Sequence, residues 1–169
     1  IIPFNLAVLD KDNSFVYLNE SKKDWESSIL HDDFELINKS KIETAKIDTI
    51  LEKRNLEDKN VIIKIDIEGN ELEAIHGATK CIEKYSPLII IEFSKYIKKN
   101  LNKGYKQLEK FLIDFNYVVY DASYKKISMN DVYNRLDKLP KNMYGIGNNF
   151  LVKKNSNIES ILQNVRSSK

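Results

Sequence analysis

One stretch constrains this chain more than any other: Val61-Ile-Ile-Lys-Ile-Asp-Ile-Glu-Gly-Asn-Glu71. Val61 to Ile63 is a continuous apolar run, the pattern of a strand buried on both faces of a parallel sheet. Charge then enters at alternate positions, Lys64, Asp66 and Glu68, while Ile65 and Ile67 stay apolar. Side chains alternate along a strand, so the three charges share one face. Gly69 permits a sharp exit. Asn70, followed three residues later by Glu73, reads as a capping box that opens a helix. Acids at the carboxyl end of a buried strand, just ahead of a helix, stand where open α/β sheets hold their ligands. The same pattern also describes a solvated strand end, and spacing alone does not separate the two readings.

The neighbouring segments extend the pattern. Glu71 to Tyr85 reads as one helix, with Leu72, Ile75, Ala78, Ile82 and Tyr85 on one face. Pro87 stops it, and Leu88 to Phe93 is a second buried strand. Tyr105 to Phe115 is a helix with Leu108, Phe111, Leu112 and Phe115 as its apolar stripe, and Tyr117 to Tyr120 is a strand. Strand alternating with helix from 61 to 120 predicts βαβ units and a parallel sheet. Upstream, Ile1 to Leu9 is apolar enough for a buried strand, Asp10 to Asn13 is turn chemistry, and Phe15, Tyr17 and Leu18 form the second arm of a hairpin. Residues 19–40 read as a long polar loop holding Trp25, Ser27, Ser28 and His31. Ile47 to Arg54 is a short amphipathic helix. Near the other end, Asn130 or Asp131 caps a short helix ending near Leu136, and Gly145 to Asn149 turns into a last strand, Phe150 to Lys153. The division expected is a domain over 1–154 and a polar tail over 155–169.

Composition removes several function classes. With 27 basic and 25 acidic residues the formal net charge is +2, too weak an excess to argue for nucleic acid. The longest apolar run, Leu88 to Ile91, is far too short to span a membrane. No signal peptide is legible in these residues, so a cytoplasmic setting is expected. The single Cys81 rules out an internal disulfide and reads as a small apolar filler on a helix. At 169 residues a single domain with a real core is expected. The chain opens at Ile1, without Met, inside an apolar run, which gives the expectation of a fragment that begins within a fold.

Several of these segments together resemble the FkbM-type methyltransferase family. Lys64-Ile-Asp-Ile-Glu-Gly69, with Glu71, Leu72 and His76-Gly-Ala78, resembles its K-I-D-V-E-G and following E-x-x-[LIV]-x-G-A. Ile47-Asp-Thr-Ile-Leu51 resembles its T-L-D-x-L segment, and Pro87-Leu-Ile-Ile-Ile-Glu92 its P-x-[IV]-[IV]-x-E strand. Asn5-Leu-Ala-Val-Leu-Asp-Lys-Asp12 resembles its N-x-A-[LV]-x-D-K-D hairpin, and Ser27-Ser28 has a counterpart. The match is dense from residue 1 to about 93. The resemblance implies an α/β, Rossmann-like class I methyltransferase sheet, mostly parallel, with an antiparallel last strand. On that template residues 2–9 are the third strand, 61–67 the fourth, 88–93 the fifth, 117–120 the sixth and 150–153 the seventh. The first two strands, roughly 60 residues with their helices, are then missing. They would carry the glycine-rich loop and the ribose-binding acid, and their loss would weaken cofactor binding.

The resemblance also implies the chemistry. S-adenosylmethionine is the cofactor and a small molecule or glycan hydroxyl the acceptor, so the enzyme must hold donor and acceptor together and remove a proton. Asp66 resembles the position lining the transfer site and is the candidate base, also touching cofactor. Glu68 either raises the Asp66 pKa by like-charge repulsion or pairs with the following helix dipole. Glu92 either serves the acceptor or is a surface acid. Asn5 and Ala7 are the remaining cofactor candidates, and Asn5 equally suits a turn. His76 suits either a base or a partly exposed helix position, and the run Lys98 to Lys103 a solvated helix start. No metal site is expected, although Asp66, Glu68 and Glu92 could form one in a metal-dependent hydrolase. A non-catalytic interaction module is the other alternative.

Overall fold

A computed structural model describes residues 1–21, 36–52, 54–57, 59–67, 69–94, 104–140, 143 and 145–167. The chain forms two compact units, Ile1–Asn55 with Ile67–Cys81, and Leu56–Asp66 with Ile82–Lys169. Each carries one mixed or antiparallel-containing sheet.

The first unit holds β1 (Ala7–Val8), β2 (Phe15–Ser21) and β3 (Leu36–Ala45) in the order β1-β3-β2. Here β3 pairs antiparallel with β2 and parallel with β1. Two expectations change. The buried strand over 2–9 shortens to Ala7–Val8, with Ile1, Ile2 and Phe4 exposed. The partner of Phe15, Tyr17 and Leu18 is β3, which emerges from what read as loop. The polar residues of β3 are the reason: Lys39, Lys41 and Glu43 line an exposed face, so the strand has no apolar run to announce it.

Three segments of this unit brace one another. Asp12 accepts from Lys46 N and Thr49 Oγ1, both at 2.8 Å, and so holds the start of α1 (Ile47–Glu52). The Lys46 amide is the main reason the Asp12 carboxyl lies below its ordinary pKa. Asp48 of α1 accepts from Lys80 N and Cys81 N, both at 2.9 Å, satisfying amides at the start of α3 (Thr79–Tyr85). Between these lies α2 (Glu71–His76). The single helix expected over 71–85 is therefore two, broken at Gly77-Ala78. Gly77 is where the Leu9 carbonyl lies: a Cβ built there would sit 2.1 Å from Leu9 O.

The capping box expected of Asn70 and Glu73 does not form. Asn70 makes no side-chain cap bond, and Glu71 Oε1 instead accepts from Gly69 N at 2.9 Å. Gly69 does take the sharp exit, at φ 110, a region open chiefly to glycine.

The second unit holds β4 (Ile62–Ile65), β5 (Leu88–Ser94), β6 (Tyr117–Tyr120), β7 (Lys126–Ile127) and β8 (Gly145–Lys153), in the order β4-β5-β8-β6-β7. As expected, β4 and β5 are parallel. The final strand, β8, is antiparallel to both its neighbours, β5 and β6. It begins at Gly145, so the turn expected over 145–149 is strand. Pairing extends it where glycine content alone suggested a bend.

The two faces of this sheet differ. Ile65, Ile89, Ile91, Phe93, Leu151, Tyr117 and Val119 share a face and are buried. There Phe111 of α4 (Gly104–Asp114) packs on Tyr117, centroids 5.6 Å apart. Of the expected stripe, Leu108, Phe111 and Leu112 are buried, whereas Phe115 lies just past the helix end and is half-buried. The opposite face carries Ile62, Lys64, Ile90, Glu92, Phe150 and Tyr120. Its β6–β8 half is covered by α6 (Asn157–Ser167), whose Leu162 joins Tyr120 and Val152 in a core cluster. The β4–β5 half stays partly open, with Ile62 62% exposed. Among the described residues β4 pairs only with β5, so it is not the doubly buried strand its apolar run suggested.

The polar stretch after 154 thus contains a helix with buried Glu159 and Leu162. Its apolar residues are few, but Ile158 and Leu162 share one face. The helix α5 (Met129–Asp137) is capped by Ser128, not Asn130 or Asp131. Asp131 completes that capping box from the third helical position. No helix among the described residues is long and apolar enough to cross a membrane.

Candidate active site

The register of the second sheet brings two of the sequence candidates together. Lys64 pairs with Ile90, so Asp66, the first residue beyond β4, comes level with Glu92 near the carboxyl end of β5. Lys64 Nζ bonds Asp66 Oδ2 at 2.5 Å, which fixes both side chains on the partly open face. Their side chains are 54% and 44% exposed, so the pair contributes orientation and little stability.

Glu92 is half-buried, and its pKa is raised. Burial is the largest cause, the Asp66 charge adds to it, and Lys64 opposes both. Two carboxylates therefore stand in unlike surroundings: Asp66 is exposed and held by a cation, whereas Glu92 is partly desolvated and favours its proton.

Residues that the motifs did not single out shape this place. Glu92 faces Asn148 across the ladder, and the register shifts between Glu92 and Phe93. This bulge bends the strand locally and re-aims its side chains. Asn149, buried, braces it by donating to Ile146 O at 3.1 Å and Gly147 O at 2.6 Å. Gly145 leaves room for the carboxylate: a Cβ there would lie 2.4 Å from Glu92 Oε1. The cluster of glycine and asparagine in Gly145-Ile-Gly-Asn-Asn149 was the available signal, and it reads as a turn until the pairing is known.

The other candidates are placed as follows. Asn5 is exposed ahead of β1, and Ala7 pairs with Thr44; both belong to the first unit. His76 is exposed at the end of α2. Glu68, Trp25, Ser27, Ser28, His31 and the run Lys98 to Lys103 lie outside the described residues. Among the described residues no group of three or more His, Cys, Asp or Glu is arranged to hold a metal ion. Cys81 is buried in α3, and burial, with the Asp48 charge, pushes its thiol up to about 11. It is an inert filler.

The second unit is thus a mixed α/β sheet in which β4 and β5 form the parallel pair, rather than the mostly parallel sheet expected, and two acids stand at the carboxyl ends of that pair. The model of the methyltransferase FkbM domain matches residues 4–119, and the chain belongs to that family. No curated protein and no solved structure matches it.

Proposed function

We propose that this protein is an S-adenosylmethionine-dependent O-methyltransferase whose acceptor is a hydroxyl of a sugar or related small metabolite. Family membership supports the methyl transfer. The observation that carries the residue assignment is the juxtaposition of Asp66 and Glu92 on the open face, level with each other at the ends of parallel strands. The β4-β5-β8-β6 order with β8 reversed supports a sheet of the class I methyltransferase type.

The residues present suit the cofactor's reacting end. When bound, S-adenosylmethionine supplies a methyl group on a sulfonium cation, and an anionic, partly desolvated pair is a compatible neighbour. Asp66 is the group set against the donor and the acceptor proton. Asn5 and Ala7 keep their cofactor role on the resemblance alone.

Asp66, held by Lys64, orients the acceptor hydroxyl and takes its proton. Glu92, level with Asp66 on the same face, helps to position the acceptor. The test is transfer of a labelled methyl group to a panel of sugar and polyol hydroxyls. Asp66→Asn should lose about 100-fold or more in turnover, in line with the general-base contribution, while keeping its fold. Undiminished transfer by Asp66→Asn would remove Asp66 from the mechanism.

A further inference from the structure

A cavity lies at the other end of the second unit's sheet, beyond the segment that matches the family. It measures about 400 Å³ and is lined by Tyr120, Tyr124, Lys126, Gln163, Arg166 and Ser167. The volume lies within the range of small-molecule sites. Tyr120 is three strands from β4 in the order β4-β5-β8-β6, a lateral separation of about 14 Å at ordinary strand spacing. Every lining residue follows residue 119, where the family match ends.

The polar groups of this cavity are held in place from below. Glu159, 4% exposed, accepts from Tyr120 Oη at 2.9 Å and Lys126 Nζ at 3.3 Å through Oε1, and from Asn155 N at 2.6 Å through Oε2. Gln163 Nε2 donates to Tyr120 Oη at 3.1 Å. The carboxylate nearest the cavity is therefore already engaged. Arg166, on the last turn of α6, makes no ion pair with any described residue. One wall is the ring of Tyr124, stacked on Phe150 with centroids 5.7 Å apart. Tyr124 adopts φ 60, rare for a bulky residue. It is held there by a turn in which Asp121 Oδ1 accepts from Ser123 N and Lys125 N, both at 3.0 Å, and Asp121 O accepts from Tyr124 N at 2.8 Å.

We propose that this cavity binds a small organic phosphate, its phosphoryl group between Arg166 and Lys126 and its planar or apolar part against Tyr124. Two cations against one saturated carboxylate leave a surplus positive charge. A guanidinium offers two parallel donors to a phosphoryl oxygen pair, and Lys126 adds a point charge. Arg166 also complements the carboxyl end of the α6 dipole. That role alone requires neither Lys126 on the same cavity nor the aromatic wall.

The probe is phenyl phosphate, titrated calorimetrically into the whole chain, with phenol as the uncharged control. Saturable binding of phenyl phosphate and none of phenol is expected, weakening as salt is raised. Arg166→Gln should weaken binding about tenfold, the value of one charge-assisted hydrogen bond, with Arg166→Lys recovering part of it. Arg166 is exposed, so its replacement leaves the core untouched. Asp66→Asn should leave phenyl phosphate binding unchanged. No saturable binding at millimolar ligand, or equal affinity in Arg166→Gln, overturns the proposal; so does equal binding of phenol.

Discussion

Gly77→Ala is expected to destabilise the first unit although alanine is the better helix former. Gly77 lies at φ −69 and ψ −7, a conformation alanine adopts freely, so the backbone does not demand glycine. Space does. The added Cβ would stand 2.1 Å from Leu9 O, 3.1 Å from Leu9 C and 3.4 Å from Glu73 O. The first contact must open by about 1 Å to become tolerable, and both partners are main chain. Leu9 is tied by its N–H to Ala45 O at 3.1 Å. Gly77 is tied by its N–H to Glu73 O and by its carbonyl to Asp48 N, both at 2.9 Å. Neither side moves without loosening these bonds, so the cost falls at the upper end for overpacking, about 3 kcal/mol. The reduced freedom of the unfolded chain returns about 0.4–1 kcal/mol, leaving a net loss of about 2 kcal/mol. For a chain of this size that lowers the melting temperature by about 4–8 °C. Thermal and urea unfolding followed by circular dichroism would measure it. Gly147→Ala, whose Cβ would meet nothing within 4 Å, is the control and should stay within about 0.5 kcal/mol of the parent. A Gly77→Ala protein as stable as the parent would refute the reasoning.

Two further outcomes follow from the titrating groups. A carboxyl-carbon NMR titration should place the Glu92 midpoint above 4.5, with Asp66→Asn moving it down and Lys64→Gln moving it up. Because the folded state then binds the extra proton, the stability Glu92 contributes is complete below 4.5 and lost as pH rises through the raised value; a midpoint indifferent to Asp66→Asn would separate the two acids. Asp121 is the opposite case: burial opposes its ionisation, but hydrogen bonds from Ser123, Arg135 and Lys125 outweigh burial and hold the carboxyl at about 2. Its contribution, about 2 kcal/mol, is present above 3.8 and lost as pH falls through about 2, so Asp121→Asn should lower stability at neutral pH and flatten the acid limb. Unchanged urea midpoints at pH 7 would contradict this.

Much of the second unit could be read from residue pattern because its strands and helices carry their own periodicity. The runs at Ile62–Ile65, Leu88–Ser94 and Tyr117–Tyr120, and the stripe of Leu108, Phe111 and Leu112, fell where expected. What escaped were features set by pairing partners. Strand β3 is polar and is made a strand by β2 and β1, and Gly145–Asn149 is strand because β5 runs beside it. Asn70 had the residue types of a cap, yet Glu71 took the Gly69 amide instead. At the candidate site, Asp66 and Glu92 were legible as strand-end acids. The resemblance grouped them at one site, but that Glu92 comes level with Asp66 follows from the parallel register of β4 and β5.

The resemblance motifs divide by role. Asp12, Asp48 and Gly77, drawn from three separate motif segments, serve as internal braces in the first unit. Asp66 and Glu92, from two others, stand level on the partly open face of the second unit's sheet. A family pattern of this kind therefore records the scaffold as much as the chemistry.

The measurement that bears most directly on the proposed activity is calorimetric titration of S-adenosylhomocysteine, the demethylated product of the cofactor, into the protein. Saturable one-to-one binding is expected, at the reduced affinity that the family resemblance implies for these residues. Absence of binding at millimolar ligand would contradict the assignment of an S-adenosylmethionine-dependent enzyme to this chain.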